Sequence, residues 1–207
     1  MKSSGTREPL PPEADTITFD PEGHRYYSGL TELPSLSKIM RLGGLKSDLS
    51  MVPPAVLEKK RVLGNRVHKA IWLYLNDNLD WATLDDDVRQ YVLAATRYVE
   101  DSGLDLEGAL IERPFGSTRL GYACTPDLVL PGGHVIEWKT TYKIYPDVQI
   151  QLAGQALVVG DPGVRIVVQL KKDGTYSTKE CLDEEDFEVF RSVLKVALWK
   201  IENGMDK

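Results

Sequence analysis

The sequence predicts an α/β domain whose mixed central β-sheet is flanked by helices on both faces. Some segments carry apolar residues at the three-to-four spacing of a helix, whereas others alternate or form short apolar runs between turn residues, as strands do. In chain order these segments read helix, helix, three strands, helix, two strands and helix. The 207 residues, of which 42% are hydrophobic, suit one domain with a sizeable core, and we find no internal repeat.

The N-terminal segment is predicted to be a flexible tail. Residues 1–16 are rich in Pro, Ser and charged residues, so the folded domain is predicted to span residues 17–207. Two short strands are expected on either side of the turn DPEGH. A helix follows, which Ser35 or Ser37 could cap at its N-terminus.

Two long helices are predicted next. The first spans about residues 54–76 and the second about residues 85–101, with Gly103 as the stop signal of the second. The residues that recur at helical spacing and form the buried stripes are Leu63, Val67, Ile71, Val88, Val92, Ala95 and Val99.

The second half of the chain reads mainly as strands. The segments GALIERPFG, RLGYACTPDLVL and HVIEWKTTY are separated by turn residues, and PGG closes the last hairpin. A helix in DVQIQLAGQALVVG is expected to end at Gly160, and a further hairpin turns at the Asp-Gly pair of residues 173–174. The final helix is predicted to open with a capping box from Asp183 to Asp186 and to stop at Gly204.

Composition excludes several classes of protein. The net charge of −6 argues against a protein that coats nucleic acid through bulk positive charge. Two cysteines, Cys124 and Cys181, are too few for a disulfide framework, a zinc finger or an iron–sulfur cluster. The N-terminus has no apolar signal sequence, and no run of about eighteen apolar residues suggests a membrane span. The sequence therefore predicts a cytoplasmic protein, and any metal must be held by oxygen and imidazole ligands.

Charged residues stand inside one of the strand segments. In VIEWKT, side chains alternate across the sheet, so Glu137 and Lys139 face away from Ile136 and Trp138. The PGG turn can bring Asp127, ten residues earlier, beside Glu137. Two facing carboxylates are tolerated when a cation such as Mg²⁺ or Mn²⁺ lies between them, and such a site suits phosphodiester hydrolysis. The alternative is a solvated surface strand whose aspartate caps a turn.

The residues GYACTPDLVL, HVIEWKTTY and VQIQLAGQAL together resemble the PD-(D/E)xK nuclease superfamily, in the branch of RecB-type nuclease domains, phage lambda exonuclease and a mitochondrial single-strand exonuclease. The resemblance implies a restriction-endonuclease-like core. It also implies that Asp127 and Glu137 are metal ligands and that the backbone carbonyl of Trp138 is a further ligand. Lys139 would be the catalytic lysine and Gln151 the motif glutamine of the catalytic set.

Three further positions fit the same resemblance less completely. GNRVHKAI looks like the Gly-x-x-x-His element of this branch, which makes His68 a metal-proximal residue, and Gly64 would leave room for close backbone approach on the same helix face. Glu112 occupies the place of a further acid, or is an ordinary exposed strand residue. Gln155 stands where the branch usually has tyrosine, so its role is open. The segment FDPEGHRYYSGLTELPSLSKI resembles the opening of small phage-encoded members.

The function that this resemblance implies is a deoxyribonuclease that uses one or two Mg²⁺ or Mn²⁺ ions. We expect an exonuclease of recombination, replication or repair, acting on single- or double-stranded DNA in the cytoplasm, which is the host cytoplasm if the protein is phage-encoded. A single-strand-annealing or other recombination protein, and further copies of the chain, are the partners that it suggests. Two alternatives stay open, which are a structure-specific endonuclease and a non-catalytic nuclease-like module for DNA binding or assembly. Polarity, strand preference and the choice of DNA over RNA are also open.

Basic and aromatic residues near the predicted site are candidates for contacts with nucleic acid. Trp72 also fits the buried face of its helix. The candidates for phosphate contact are Arg61, Arg66, Lys143 and Lys171, and those for base stacking are Trp72, Tyr142 and Tyr145.

Overall fold

The computed structural model describes residues 15–46, 51–160 and 163–206. The predicted N-terminal tail therefore lies, up to residue 14, outside the described residues. Among the described helices, none is both long and apolar enough to cross a membrane.

The described part of the chain opens with a small antiparallel sheet rather than with two strands alone. Strands β1 (Ile17–Asp20), β2 (Arg25–Ser28) and β3 (Thr31–Leu33) pair in chain order, so the third strand is one that the sequence pattern did not predict. Ser35 then caps helix α1 (Leu36–Leu42), because its Oγ accepts a hydrogen bond of 3.1 Å from the backbone N–H of Lys38.

Two long helices cover one face of the central sheet. Helices α2 (Pro54–Leu75) and α3 (Asp86–Ser102) lie within a few residues of their predicted bounds, and α3 ends at Gly103, which adopts a left-handed φ of 60°. One buried cluster joins the helices to the sheet. Its members include Val67, Ala70, Ile71, Val88, Val92 and Ala95 from the helices and Leu128, Ile136 and Trp138 from the sheet.

Seven further strands follow in the described residues: β4 (Leu110–Ile111), β5 (Phe115–Ser117), β6 (Tyr122–Cys124), β7 (Leu128–Val129), β8 (Val135–Lys139), β9 (Arg165–Leu170) and β10 (Tyr176–Cys181). Strands β5 and β6 form a separate pair. The other five form the central sheet, in the order β10-β9-β8-β7-β4. Strands β8 and β9 run parallel and the other neighbours run antiparallel, so the sheet is mixed. Gly132 and Gly133 have φ values of 85° and 76° and close the turn between β7 and β8, as PGG predicted.

The opposite face is covered by α1, α4 (Asp147–Val159) and α5 (Glu185–Glu202). Helix α4 is the crossover between the parallel strands β8 and β9. It approaches its neighbours closely at Gly154, where an added Cβ would lie 2.6 Å from Phe190 and 2.7 Å from Leu36. Helices therefore flank both faces of a mixed sheet, and the predicted fold class is confirmed.

The start of α5 differs from the predicted capping box. Glu184 is the N-cap residue and makes no side-chain cap bond, but Asp183 Oδ1 accepts a hydrogen bond of 3.0 Å from the backbone N–H of Glu185, the first residue of the helix. Asp186 instead is buried and pairs with Arg165, whose Nη1 lies 3.1 Å from its Oδ2. Arg165 also donates a hydrogen bond of 2.7 Å to the backbone carbonyl of Asp183. The Asp183 side chain therefore caps the helix start as predicted in part, whereas the reciprocal role of Asp186 is wrong because a buried guanidinium needs a charged partner and Asp186 is the carboxylate that pairs with it.

Candidate active site

The β7–β8 hairpin brings two acidic residues to the same position on neighbouring strands. Leu128 pairs with Ile136, and one more step along this antiparallel register sets Asp127 opposite Glu137. Asp127 is 8% exposed and Glu137 is 5% exposed, so neither carboxylate is a solvated surface group. The Oδ2 atom of Asp127 accepts a hydrogen bond of 2.8 Å from the backbone N–H of Trp138, which ties the two strands together at this point.

Both oxygens of the Glu137 carboxylate accept hydrogen bonds from side chains. Lys139 Nζ lies 2.6 Å and Gln151 Nε2 lies 2.9 Å from Oε1, and Gln155 Nε2 lies 2.8 Å from Oε2. The two glutamines are one helical turn apart on α4, so they reach the same carboxylate from the same helix face. We call these four residues the Glu137 cluster.

Lys139 is held as a cation within this cluster. Burial alone would lower the pKa of Lys139, but the charge and hydrogen bond of Glu137, aided by Asp127 and Asp147, outweigh burial and raise it above its ordinary value. The ammonium therefore stays protonated at neutral pH. Lys139 is suited to stabilising negative charge and not to accepting a proton.

A second group of potential ligands lies on the other side of Asp127. One ligand atom each of His68, Glu112 and Asp127 lie within 4.8 Å of one another, and His68 Nδ1 is 3.0 Å from Asp127 Oδ1. Ligands of Mg²⁺ at about 2.1 Å lie at most about 4 Å apart, so small side-chain movements would let one ion contact all three. Carboxylates and an imidazole are groups that bind metal ions in proteins, and we call these three residues the Asp127 cluster.

The Asp127 cluster has two acidic groups and one imidazole, and this excess of negative charge favours the binding of a cation. Burial alone would lower the pKa of His68, but the charge and hydrogen bond of Asp127, with Glu137, raise it to about 9. Burial and then the negative charge of Asp127 raise the pKa of Glu112, with His68 and Lys69 opposing. A metal ion would relieve the repulsion between Glu112 and Asp127 and would displace the proton from His68.

Glu112 reaches this cluster through an unusual backbone conformation. It follows β4 directly and has a φ of 46°, in the left-handed region that residues other than glycine seldom adopt. Its backbone N–H donates a hydrogen bond of 3.0 Å to the carbonyl of Asp127, so the ladder between the strands continues to this residue. The left-handed turn ends the strand here, and the Glu112 carboxylate lies beside His68 and Asp127.

The Asp127 cluster adjoins an open cavity of about 420 Å³. The residues lining it are Arg61, Gly64, Asn65, His68, Lys69 and Glu112. An added Cβ at Gly64 would meet only Thr140 Oγ1, at 3.9 Å, among the described residues outside the local helix backbone. The room expected at Gly64 is therefore present, and the missing side chain leaves it as space in the cavity.

The two arginines proposed for phosphate contact, Arg61 and Arg66, differ in how many acidic side chains already pair with them. Arg61 lines the cavity and pairs on the surface with Glu58, with its Nη2 atom 2.6 Å from Oε1. Arg66 contacts Asp85 and lies 3.5 Å from a carboxylate oxygen of Asp87. Two acidic partners make Arg66 the less available of the two.

The loop after β8 presents aromatic and basic side chains beside the site. Gln169 Nε2 donates hydrogen bonds of 2.7 Å to the carbonyls of Thr141 and Tyr142, which fixes the loop from β9. Tyr142 is 102% exposed, and Lys143 Nζ lies 5.7 Å from the ring centroid of Tyr145. This loop starts at the end of the strand that carries Lys139.

The remaining candidates lie farther along these elements. Lys171 is exposed two residues beyond Gln169, whose register partner is Lys139, so it lies at the same edge of the sheet. Trp72 is half-buried on α2, with Lys69 Nζ 3.7 Å from the centroid of its indole ring.

Sequence reasoning missed two residues near the site. Gln155 had no assigned role, and its contact with Glu137 depends on how α4 packs against the sheet. Burial and then the positive charge of Lys139 lower the pKa of Lys46, so Lys46 lies within electrostatic range of Lys139. No motif in the sequence marks Lys46.

Comparison with known proteins adds a likeness of fold. No protein-family model matches the chain, and no curated protein sequence matches it. Among solved structures, the chain is similar to an alkaline exonuclease, LHK-Exo, from Laribacter hongkongensis. The TM-score is 0.50 at 14% sequence identity, and the match covers 83% of this chain and 88% of that chain. The two proteins share a fold. LHK-Exo in complex with dAMP gives a TM-score of 0.47 at 15% identity, over 84% of this chain and 89% of that chain.

Proposed function

We propose that this protein is a divalent-metal-dependent nuclease that hydrolyses DNA phosphodiester bonds, with residues 17–207 as a single nuclease domain. The observation that carries the proposal is the buried pair of opposed acids, Asp127 and Glu137, with the Lys139 ammonium 2.6 Å from Glu137. Two buried carboxylates on neighbouring strands repel each other unless positive charge balances them, and such a pair with a nearby ammonium matches the needs of phosphoryl chemistry. The shared fold with a protein described as an alkaline exonuclease supports it.

The proposed ligands of one or two Mg²⁺ or Mn²⁺ ions are carboxylate, imidazole and carbonyl groups. Asp127, His68 and Glu112 offer ligand atoms within 4.8 Å of one another. Glu137 and the backbone carbonyl of Trp138 complete the proposed set. When bound, a divalent ion at such a site makes water a stronger nucleophile and stabilises the charge of the phosphate group.

The protein's own groups would position and stabilise the substrate. Lys139, as a half-buried cation, stabilises the negative charge that grows on the phosphate during in-line attack. Gln151 contacts both Glu137 and Lys139, with Oε1 3.4 Å from Nζ, and keeps these two side chains in a fixed relation. The His68 imidazole holds Asp127 in place through its Nδ1 atom when no metal is bound.

The nucleic acid would approach through the cavity beside α2. Arg61, Asn65 and Lys69 line this cavity and offer hydrogen-bond donors to phosphate oxygens. Tyr142 and Lys143, on the loop after β8, would stack on an unpaired base and contact its phosphate. Arg66 is less suited to this role because two aspartates already neutralise it.

The test is cleavage of end-labelled single- and double-stranded DNA with Mg²⁺ or Mn²⁺, against an EDTA control. Lys139→Ala should remove turnover and leave Mn²⁺ binding and folding intact, whereas Asp127→Ala should remove both turnover and metal binding. Lys195→Ala, an exposed lysine on α5, serves as the matched control and should cut like the parent. Equal cleavage by the parent and both site variants would show that the site is wrongly assigned.

An exonuclease of recombination, replication or repair is the more specific form of this proposal. Circular single-stranded DNA and closed plasmid have no free end, so an exonuclease leaves both intact and a structure-specific endonuclease does not. A non-catalytic DNA-binding module would bind labelled DNA with no metal-dependent products. The presence of Asp127, Glu137 and Lys139 in one chain favours an enzyme over a non-catalytic binding module.

A further inference from the structure

Gln155 is a polar residue in an apolar setting. It is 2% exposed, and its neighbours on α4, Leu152, Ala153 and Ala156, are fully buried parts of the core. Its Oε1 atom is buried and has no hydrogen-bond partner among the described residues. A buried acceptor without a partner costs free energy, and an apolar side chain of the same length would avoid that cost.

The other end of the same amide explains why a glutamine is tolerated here. Gln155 Nε2 donates to Glu137 Oε2 at 2.8 Å, in a hydrogen bond strengthened by the carboxylate charge. The opposite orientation of the amide would direct its oxygen at the carboxylate oxygen, so the observed orientation is the favourable one. The unpaired Oε1 atom is therefore a consequence of the bond to Glu137.

Gln155 and Gln151 act on the carboxylate as a pair. Gln151 Nε2 donates to Oε1 at 2.9 Å, and Gln155 Nε2 donates to Oε2 at 2.8 Å. Each oxygen of Glu137 is thus held by one amide from successive turns of α4, and the plane of the carboxylate is fixed. Lys139 alone, which contacts only Oε1, would leave the carboxylate free to rotate about its last bond.

We propose that Gln155 is a positioning residue that fixes the Glu137 carboxylate in the orientation required for binding a divalent ion next to Asp127. This inference rests on the proposed metal-dependent nuclease. Gln155 acts through Glu137 and does not itself touch the ion or the DNA. Supporting groups of this kind keep ligands in their productive geometry and strengthen metal binding.

A purely structural role makes a different prediction. If the hydrogen bond served only to join α4 to β8, its loss would lower thermal stability and leave metal affinity unchanged. If Gln155 orients Glu137, its loss would weaken metal binding, and removing the unpaired Oε1 atom would offset the loss of stability.

The test compares Gln155→Met with Gln149→Met in the full chain. Methionine keeps the length of the side chain and removes the N–H donor, and Gln149 is a half-buried glutamine of the same helix outside the Glu137 cluster. Mn²⁺ affinity is measured by isothermal titration calorimetry, thermal melting is measured in EDTA, and kcat and KM are measured on labelled DNA. We expect Gln155→Met to lower Mn²⁺ affinity about 10- to 100-fold and to reduce kcat, with KM for DNA unchanged. Gln149→Met should match the parent in all three measurements.

A third variant distinguishes loss of the hydrogen bond from a general loss of folding. Gln155→His keeps an N–H donor at a similar reach, so it should retain more of the Mn²⁺ affinity than Gln155→Met does. Parental Mn²⁺ affinity and kcat in Gln155→Met, or equal losses in the methionine and histidine variants, would overturn the inference and leave the proposed nuclease standing. Failure of the parent itself to bind Mn²⁺ and to cut DNA would instead overturn the proposed function together with this inference.

Discussion

The Glu137 cluster and the Asp127 cluster are the two halves of the candidate site, and they differ in hydrogen bonding and in access to the cavity. In the Glu137 cluster, both carboxylate oxygens already accept hydrogen bonds, from Lys139, Gln151 and Gln155. In the Asp127 cluster, two acids and a histidine lie beside an open cavity of about 420 Å³. The Glu137 carboxylate is buried with both oxygens hydrogen-bonded, whereas the Asp127 cluster adjoins the cavity and brings two acids close together.

This difference suggests a division of tasks. The Glu137 cluster is preorganised, so little rearrangement is needed to present its carboxylate. The Asp127 cluster can change its protonation and side-chain positions when an ion or a phosphate enters from the cavity. Substitutions in the Glu137 cluster should therefore lower both turnover and Mn²⁺ affinity, whereas substitutions in the Asp127 cluster should also change the pH dependence.

Glu137→Gln should have the largest effect. The new amide places an N–H₂ group against the donors of Gln151, Gln155 or Lys139 and removes the charge. We expect cleavage to fall about 10³-fold, since several kcal/mol of electrostatic stabilisation are lost, and the melting temperature in EDTA to fall as well. Glu185→Gln, at an exposed position of α5, is the control. Parental cleavage by Glu137→Gln would remove this cluster from the mechanism.

The pH dependence of stability should come from the other half. The raised pKa of His68, about 9 against an ordinary 6.5, means that the folded metal-free protein binds this proton more tightly than the unfolded chain does. The resulting stability is fully present below about pH 6.5 and is lost as pH rises through about 9, to a total of about 3 kcal/mol at most. Urea unfolding in EDTA at several pH values should show this loss in the parent and not in His68→Gln. The same slope in both proteins would contradict it.

Glu112→Gln tests the repulsion within the Asp127 cluster. Removing this charge relieves the repulsion from Asp127, which contributes to the raised pKa of Glu112, so the metal-free protein should melt at a higher temperature. Mn²⁺ affinity should fall about 10- to 100-fold, because a charged group close to the ion is lost. Calorimetric titration and melting in EDTA measure the two effects. A drop in both quantities would mean that Glu112 supports the fold and not an ion site.

Gly64→Ala should give the smallest effect, with opposite signs for stability and activity. Alanine is favoured over glycine inside a helix by roughly 0.5–1 kcal/mol, and no neighbouring atom resists the added methyl group. The methyl group would occupy part of the cavity, so we expect a several-fold rise in KM for DNA. Gly103→Ala is the contrasting control, since its left-handed φ of 60° makes alanine destabilising there without touching the cavity. A less stable Gly64→Ala protein would show that the glycine is required by packing.

The sequence predicted what local patterns determine. Helices α2 and α3 and the turn at Gly132 follow from apolar spacing and glycine signals, and the approach of Asp127 to Glu137 follows from strand alternation across a tight turn. Two predicted strand segments were each divided between separate sheets, one of them at the left-handed residue Glu112. A positive φ at a glutamate leaves no mark in the sequence.

The rest of the site depends on tertiary packing. The contact of Gln155 with Glu137 is set by the position of α4 against the sheet, and a tyrosine was the residue expected there from the resemblance. The room at Gly64 was expected, but its place in a cavity beside His68 and Glu112 depends on how α2 packs. Neither outcome follows from the spacing of residues along the chain.

The crossover helix α4 has a consequence for how the site assembles. Glu137 and Gln155 are 18 residues apart within a single β-α-β unit, whereas His68 and Asp127 are separated by 59 residues. Closing the shorter chain segment costs less entropy, so the Glu137 half can form early in folding, and the Asp127 half must wait until the distant helix docks. During refolding, native-like order around α4 should therefore precede the first enzymatic turnover.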